Sequence, residues 1–278
     1  MRYWLYAFLG LSVITIFFGI LIGVFGPSTA VDVYFCDVGQ GDGALVVLPG
    51  NVKIVVDGGV DERMVSCLTR YLPIHDRVID LVIISHPEKD HYAGLISVLN
   101  QYRVRTLLYN GRDGQGDYWD EFEHQLEVNN VQKIAVSAGD TVQYADYTLK
   151  FLWPFSTNNE SNNDDSLILM FEGQGIKTLF TGDIGFASEN VITDMYDVTI
   201  DVLKVSHHGS VYATGTYFLH EAKPYVSIIS VGENSYGHPH PSLIQRLQSS
   251  GSEVYRTDID GDVHLVYKGG ILEAFSQK

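Results

Sequence analysis

The sequence predicts an α+β protein in which two β-sheets lie face to face and helices cover their outer surfaces. Three observations favour this fold class. The chain has 278 residues with 45% hydrophobic content, which is enough for a full core. Short apolar runs follow one another closely from Val31 onwards and are typical of paired strands. Further along the chain, strand-like and helix-like segments alternate.

The first 30 residues differ in kind from the rest. Residues Tyr3–Phe25 carry no charge, and as a helix they would extend roughly 34 Å, enough to cross a bilayer. Arg2 precedes this run and the acidic Asp32 follows it, so the positive-inside tendency places the remainder of the chain outside the cytoplasm. The alternative is a cleaved signal peptide, because Ser28–Ala30 offers small residues for cleavage. We therefore expect a membrane-anchored, extracytoplasmic domain, which would be secreted if residues 1–30 are removed.

Residues 31–278 are expected to form one domain, because no low-complexity tract or proline-rich linker divides them. The polar stretch Ser156–Asn163 is predicted to be a loop. The predicted strands are Val31–Asp37, Ala44–Leu48, Lys53–Asp57, Asp80–Ser85, Thr106–Tyr109, Thr148–Leu152, Leu167–Phe171, Lys177–Thr181, Asp201–Val205, Tyr225–Ser230, Glu253–Thr257 and Val263–Tyr267. The last two are expected to be joined by the turn-like Asp258–Asp262. The predicted helices are Glu62–Tyr71, Tyr92–Gln101, Asp117–Leu126, Ala187–Met195, Thr214–His220 and Ser242–Gln248.

Charge and cysteine usage narrow the functional classes. The net charge of −16 argues against binding nucleic acid through a broad basic surface, although divalent cations at an active site would invert the local field. The two cysteines, Cys36 and Cys67, are too few for a disulfide scaffold, and their spacing matches no zinc site. The sequence alone leaves open whether Cys36 and Cys67 form one disulfide in an exported domain.

The six-residue segment His86–His91 contains four side chains that can bind a metal ion. It follows the apolar run Asp80–Ser85 and precedes a predicted helix, so a tight loop presents two imidazoles and two carboxylates. Histidine nitrogen and carboxylate oxygen together suit a transition metal. The alternative is an aspartate that caps the helix among solvated neighbours.

Other strand ends deliver the same residue types. A glycine-rich segment, Asp37–Ala44, links the first two predicted strands, and its alternative interpretation is a plain hairpin turn. The remaining strand ends carry Asp57, Asp183, the pair His207 and His208, and finally His238 and His240. A single Gly-Asp such as Gly182-Asp183 is more often a turn, but the series taken together predicts a metal centre.

With these residues in view, the chain resembles the metallo-β-lactamase superfamily. More narrowly, it resembles the soluble metallo-hydrolase domain of the DNA-uptake competence protein ComEC. The resemblance runs from about Val31 to Tyr267 and is carried, in order, by Asp37–Ala44, Val55–Gly59, Ser85–Leu95, Asn163–Leu169, Leu179–Asp183, Leu203–Ser210, Ser230–Pro239 and Arg256–Gly261. It implies a four-layer αββα sandwich with the site at the edge between the two sheets.

The resemblance also implies roles for individual residues. The implied metal ligands are His86, Glu88, Asp90, His91, Asp183 and His207. Asp57 matches a carboxylate that supports the metal ligands without itself binding the metal. Asp165, with Asn163 and Asp164, lies where many members have a further histidine. The departure is Glu88, where the family usually has histidine. Oxygen in place of nitrogen favours harder ions, so we expect one or two divalent ions, Zn²⁺ or Mn²⁺ first and Mg²⁺ as a further candidate.

The implied activity is metal-dependent hydrolysis of a phosphodiester, DNA above all, in a competence or DNA-uptake context. Asp90 would ligate metal and orient or deprotonate the attacking water. His208 or His238 would protonate the leaving oxygen or bind a phosphate oxygen. Ser210 and Asn234 are candidate phosphate contacts. Because one predicted span cannot form a channel, we expect a separate DNA-channel protein as partner. The alternatives are a hydrolase of a small phosphoester, lactone or thioester, and a catalytically idle DNA-handling module.

Overall fold

The computed structural model describes residues 29–157 and 162–278. The strands are β1 Val31–Phe35, β2 Gly43–Leu48, β3 Val52–Gly58, β4 Val78–Ile83, β5 Arg103–Tyr109, β6 Gln132–Ala135, β7 Thr141–Tyr144, β8 Tyr147–Trp153, β9 Ile168–Gly173, β10 Ile176–Phe180, β11 Val202–Lys204, β12 Val226–Ile229, β13 Glu253–Arg256, β14 Val263–Lys268 and β15 Ile271–Ser276. The helices are α1 Arg63–Tyr71, α2 Lys89–Tyr92, α3 Gly94–Gln101, α4 Asp117–Val128, α5 Phe186–Met195, α6 Thr216–Ala222, α7 Pro241–Ser249 and α8 Thr257–Asp260, with 3₁₀ turns at Asn163–Asp165 and Ser206–Gly209.

The strands form two sheets. One has eight strands in the order β15-β14-β1-β2-β3-β4-β5-β6, and the other has seven in the order β13-β12-β11-β10-β9-β8-β7. In the first sheet β3 to β6 are parallel, and in the second β10 to β13 are parallel. The helices lie in the crossovers that parallel neighbours require.

Three apolar cores hold the layers together. The first lies between the sheets and takes side chains from both, among them Phe35, Phe151, Phe171, Phe180 and Leu265. The second packs α1, α3 and α4 against the eight-stranded sheet, and the third packs α5, α6 and α7 against the seven-stranded sheet. Burial of both faces of each sheet explains the near-continuous apolar runs in the central strands. The predicted αββα sandwich is therefore confirmed.

The candidate site lies at the ends of the parallel strands. Because parallel neighbours run in one direction, the ends of β3 and β4 meet at one edge of their sheet, and the ends of β10, β11 and β12 meet at one edge of theirs. The two edges face each other and carry the Asp57, His86, Asp183 and His208 segments. The predicted position of the site, at the edge between the sheets, agrees with this layout.

Four details differ from the prediction. Strands β6, β7 and β15 were missed, because they are short or exposed edge strands whose residues do not form an apolar run. The predicted hairpin at Asp258–Asp262 is wrong: β13 and β14 belong to different sheets, and the helix α8 connects them. The predicted helix Tyr92–Gln101 begins earlier, at Lys89, and is divided at Ala93. The loop predicted at Ser156–Asn163 ends in a 3₁₀ turn that begins at Asn163.

Cys36 and Cys67 form a disulfide that joins the end of β1 to α1. Both residues are buried. The predicted membrane-spanning run Tyr3–Phe25 lies outside the described residues. Within 29–157 and 162–278, no helix is both long and apolar enough to cross a bilayer.

Candidate metal centre

Three buried imidazoles converge on one point between the sheets. The Nε2 atoms of His86, His91 and His208 are buried and have no hydrogen-bond partner among the described residues. The carboxylate of Asp183 faces two of them, with Oδ2 at 3.2 Å from His208 Nε2 and 3.5 Å from His91 Nε2. Asp90 approaches from the cleft side, with Oδ2 at 3.3 Å from His208 Nε2. Buried nitrogen and carboxylate atoms left without partners are what a metal ion would satisfy.

The described residues contain four overlapping trios of donors, and two of these do not use Asp42, whose carboxylate pairs with Lys204. His86, His91 and Asp183 form one, and Asp90, His91 and His208 form the other; in each trio the three ligand atoms lie within 4.8 Å of one another. His91 belongs to both trios. This donor set of imidazole nitrogens and carboxylate oxygens suits Zn²⁺, Mn²⁺ or another first-row divalent ion. The residues therefore fit a metal centre, with room for one ion or a closely spaced pair.

The Nδ1 atoms of His91 and His86 contact Asp57 and Ser85, respectively. His91 Nδ1 lies 3.0 Å from Asp57 Oδ2. Asp57 also accepts hydrogen bonds from Ser85, from the backbone N–H and the hydroxyl at 2.8 Å each. The Ser85 hydroxyl is in turn 3.0 Å from His86 Nδ1. These contacts orient both rings so that their Nε2 atoms point at the donor cluster, which is how a second layer of residues directs metal ligands.

His208 is oriented by a different set of contacts. Its Nδ1 lies 3.0 Å from the backbone carbonyl of Ser230 and 3.3 Å from Asp42 Oδ1. The other oxygen of Asp42 forms a buried ion pair with Lys204. The Lys204 ammonium is also 3.9 Å from Asp183 Oδ1. One lysine thus offsets negative charge on two carboxylates of the site.

The electrostatics of the cluster favour a cation. Burial alone would raise the pKa of Asp183, but the imidazoles of His208 and His91 outweigh it and hold this pKa well below its usual range. Burial opposes protonation of the rings, yet Asp183 and Asp57 raise the pKa of His91 well above normal, and Asp183 and Asp42 do the same for His208. Protons on these imidazoles and a bound metal ion are two ways to balance the same carboxylates.

The glycine-rich segment at Gly39–Gly43 holds Asp90 in place. Gly41 has φ +127°, and a Cβ built there would lie 2.2 Å from the Asp90 carbonyl oxygen. The next residue, Asp42, donates its backbone N–H to that same oxygen at 3.2 Å. Only glycine permits this close backbone approach, so the segment has a structural role beyond that of a plain turn.

An open cleft of about 430 Å³ leads from solvent to the donors. Its lining residues come from six segments of the chain: Gln40, Val60, Glu88, Lys89, Asp90, Asp183, His207, His208, Tyr236 and His238. The cleft is therefore accessible to a substrate, with Asp90, Asp183 and His208 at its floor.

Two predicted ligands lie on the cleft but outside both trios. Glu88 is half-buried, and burial together with the neighbouring charges of Asp90 and Asp183 raises its pKa. His207 adopts φ +51°, and its Nε2 is 3.9 Å from Asp183 Oδ2. His208, for which the sequence predicts a contact with the leaving or a phosphate oxygen, lies among the buried candidate donors. Coordination by Glu88 and by His207 stays a prediction.

The predicted substrate contacts are dispersed. His238 lines the cleft, and its Nδ1 is buried without a hydrogen-bond partner among the described residues. Asn234 uses both N–H groups of its amide to donate to the carbonyls of Gly232 and His238, at 2.8 Å each. Ser210 is buried and accepts a hydrogen bond from the Tyr212 backbone N–H at 3.3 Å. Neither Ser210 nor Asn234 lines the cleft, and their contact with phosphate stays a prediction.

The remaining predicted residue, Asp165, is buried and pairs with Arg112. Its neighbour Ser166 accepts a hydrogen bond from the Asp183 backbone N–H through Oγ at 3.1 Å. The 163–166 segment therefore supports Asp183 through Ser166, while the Asp165 carboxylate is engaged with a guanidinium.

Sequence analysis did not single out Asp42, Ser85 or Lys204. A signal for Lys204 existed, because a lysine inside the otherwise apolar run Val202–Val205 must find a buried partner. Asp42 lies within a segment that was noted only for its glycines. Ser85 carried no signal, because serine at a strand end is common.

Comparison with known proteins agrees with this geometry. A family model described as the beta-lactamase superfamily domain matches residues 53–218. "ComE operon protein 3" of Bacillus subtilis is 28% identical over 263 residues, which cover 88% of this chain and 34% of that protein. "Recombination protein 2" of Haemophilus influenzae is 29% identical over 252 residues, covering 89% of this chain and 30% of that protein.

The fold comparison gives the same result. The solved structure of the metallo-beta-lactamase fold protein YhfI from Bacillus subtilis aligns with a TM-score of 0.57 at 15% identity, covering 89% of this chain and 100% of that one. At this identity the match establishes the fold alone. The chain spans about a third of the length of the curated relatives it matches.

Proposed function

Because the chain belongs to the beta-lactamase superfamily, we propose that it is a metal-dependent hydrolase that cleaves phosphodiester bonds in DNA. The observation that carries the proposal is the convergence of three unpartnered Nε2 atoms on Asp183 at the floor of an open cleft. None of these nitrogens makes a hydrogen bond among the described residues, and burying them without one would cost stability. Their arrangement is accounted for by a bound cation.

A divalent cation held there supplies Lewis acidity and makes water nucleophilic near neutral pH. The chain itself supplies the rest. His86, His91 and His208 offer imidazole nitrogens as donors, and Asp183 offers a carboxylate beside them. Burial, then repulsion by His91, lowers the pKa of His86 to about 3, so this ring is neutral and available as a donor.

Asp90 suits a ligand role. Although burial opposes ionisation, the adjacent imidazoles of His208 and His91 hold the pKa of Asp90 far below its usual value, so it stays ionised and is a weak base. His238 is the better candidate for a contact with the leaving oxygen. Its ring lines the cleft, and burial lowers its pKa, which leaves a neutral imidazole with a free Nδ1.

The choice of DNA rests on the relatives. The name of the Haemophilus influenzae relative refers to recombination, and the family resemblance is to a DNA-uptake protein. The net charge of −16 favours the second candidate, a small phosphoester, lactone or thioester, because a long polyanion is repelled by an acidic surface. An idle DNA-handling module remains as the third reading, motivated by glutamate at position 88.

We propose further that residues 1–30 anchor the chain in a membrane and that residues 31–278 work outside the cytoplasm. The Cys36–Cys67 disulfide supports this location, since disulfides persist in oxidising compartments. A separate DNA-channel protein would then be the natural partner. Protease protection in intact cells, with and without permeabilisation, tests the orientation.

The activity is tested with the purified full chain, single-stranded DNA, and Mn²⁺, Mg²⁺ or Zn²⁺ in turn. Asp183→Asn serves as the matched control, because it keeps the shape and removes the charge between the imidazoles. Cleavage by the parent that is lost in the variant supports a metal nuclease. Turnover of bis-p-nitrophenyl phosphate or a thioester without DNA cleavage would favour the second candidate, and turnover of neither would overturn the hydrolase proposal.

A further inference from the structure

One aromatic side chain stands exposed at the rim of the cleft. Tyr236 is 75% exposed, yet it belongs to the lining of the cleft that leads to the metal donors. Single exposed aromatics are common on protein surfaces and need no explanation. Tyr236, however, lies beside the candidate active site, where its ring can contact a bound ligand.

The loop that carries Tyr236 is held rigidly. The Asn234 amide donates to the carbonyls of Gly232 and His238, and its Oδ1 accepts from the backbone N–H groups of Tyr236 and His238 at 3.1 Å each. All of these contacts lie between Gly232 and His238, within the eleven-residue loop that joins β12 to α7. These bonds hold the backbone that presents Tyr236, and a tyrosine side chain has only two rotatable bonds, so little conformational freedom is lost when its ring binds a flat partner.

A row of rings connects Tyr236 with the donor cluster. From the buried end, His208 and His207 have ring centroids 6.1 Å apart, His207 and His238 are 5.5 Å apart, and His238 and Tyr236 are 5.8 Å apart. The last pair is inclined by only 33°. A ligand whose reacting group lies at His208 can therefore extend past His207 and His238 to Tyr236.

The same cleft also carries a positioned cation. Lys89 lines it, and its ammonium lies 3.5 Å from the centroid of the Tyr118 ring. A cation–π contact of this kind restrains the lysine side chain. In a chain with a net charge of −16, one ammonium fixed at the cleft is a distinct feature. It offers a contact for a phosphate that lies next to the reacting one.

Resting on the proposed function, we infer that the Tyr236 ring stacks on an unpaired base of single-stranded nucleic acid, next to the phosphodiester that reaches the metal donors. Lys89 contacts a neighbouring phosphate. A base inside a duplex has both faces covered by its neighbours, so the exposed ring can serve only a strand whose bases are free. The subsite therefore gives the enzyme a preference for single strands without reading sequence, because every base has a flat face.

Binding is measured by fluorescence anisotropy of a short labelled DNA strand with uncleavable phosphorothioate linkages, in the presence of Mn²⁺. A second strand has the same linkages but abasic sugars. Tyr236→Ala should weaken binding of the base-containing strand by about 5- to 100-fold and leave the abasic strand unchanged. Tyr236→Phe should bind like the parent, because stacking needs the ring and not the hydroxyl.

Two further variants complete the design. Tyr225 is 71% exposed and directly precedes β12, at the end of the strand opposite the site, so Tyr225→Ala should change neither affinity. Lys89→Ala should weaken both strands alike and reduce the slope of log K against log salt by about 0.7. Equal weakening of both strands by Tyr236→Ala, or no weakening, would overturn the stacking inference.

Cleavage of natural DNA is followed in parallel with the same proteins. DNA cleavage by the parent without any difference in affinity between the two strands overturns the stacking inference alone. Base-dependent binding through Tyr236 without cleavage under any metal overturns the nuclease proposal alone. If the parent binds neither strand, the stacking inference is wrong whatever the cleavage result.

Discussion

His91 Nδ1 lies 3.0 Å from Asp57 Oδ2, so a buried carboxylate fixes this ring and leaves Nε2 to face Asp183. The contact sets the tautomer that a metal ligand needs, with the proton on Nδ1 and the lone pair on Nε2. Asp57 is itself held by Ser85. The quality of the metal site thus depends on a residue that does not face the cleft.

We therefore predict that Asp57→Asn lowers the affinity for Zn²⁺ or Mn²⁺ by about 10- to 100-fold. Isothermal titration calorimetry of the parent and variant measures this. Asp32→Asn is the matched control, because Asp32 makes a similar carboxylate–histidine contact, 2.8 Å from His264 Nε2, at a half-exposed position away from the cleft. Equal metal affinity in Asp57→Asn and Asp32→Asn would contradict the orienting role.

Neighbouring histidines should differ sharply in their effect on metal binding. His208 is buried with an unpartnered Nε2, whereas His207 lies on the cleft with its Nε2 3.9 Å from Asp183 Oδ2. We predict that His208→Ala lowers metal affinity at least about 100-fold and His207→Ala about 10-fold or less, since loss of a ligand costs more than loss of an outer contact. If calorimetry shows a larger loss of metal affinity for His207→Ala than for His208→Ala, the result would contradict this prediction and support His207 as the ligand.

Gly94 should be intolerant of a methyl group. A Cβ at this position would lie 2.1 Å from the Gly58 carbonyl oxygen and 2.4 Å from that of Asp61, and backbone atoms cannot move aside cheaply. Alanine usually stabilises a helix relative to glycine by up to about 1 kcal/mol. Here we predict the opposite sign, a loss of about 2–4 kcal/mol in the free energy of unfolding for Gly94→Ala.

The control for this experiment is Gly185→Ala. Its Cβ would meet only an ordinary contact, 3.6 Å from the Tyr212 carbonyl oxygen, and its φ of −98° is open to any residue. Denaturant unfolding should change by less than about 0.5 kcal/mol in this variant. A neutral Gly94→Ala would show that the junction between β3 and the metal-loop helices is looser than the structure indicates.

Reduction of the disulfide should destabilise the domain. Cys36 and Cys67 are separated by 31 residues, and closure of such a loop is worth about 3–4 kcal/mol through its restriction of the unfolded chain. We predict this decrease in the free energy of unfolding when guanidinium titrations are repeated with dithiothreitol. The Cys36→Ala/Cys67→Ala double variant should show the same decrease and should not respond to the reductant.

The layer order was predictable because it depends on patterns that sequence displays directly. Central strands such as Val226–Ile229 are buried on both faces and are mostly apolar, and α1 and α7 alternate with the strands at helical spacing. Edge strands such as Gln132–Ala135 lack that signal, since an exposed strand does not need apolar residues. The wrong hairpin at Asp258–Asp262 arose because turn chemistry does not reveal to which sheet each strand belongs.

Much of the donor cluster was predictable from strand ends, as His86, Asp90, His91 and Asp183 illustrate. The choice between His207 and His208 was not. Both residues adopt the left-handed conformation, and only the resulting rotation of the chain decides which ring is buried. The ion pair of Asp42 with Lys204 was also hidden, because it joins residues far apart in the sequence across the gap between the two sheets.

The most direct test of the central claim is anomalous X-ray diffraction from crystals of the full chain grown with Mn²⁺ or Zn²⁺. The account predicts an anomalous peak about 2.0–2.3 Å from the Nε2 atoms of His91 and His208 or His86, in contact with Asp183. A second peak beside Asp90 would show a pair of ions. Fully loaded crystals with no peak among these donors, or with the metal bound elsewhere, would contradict the account.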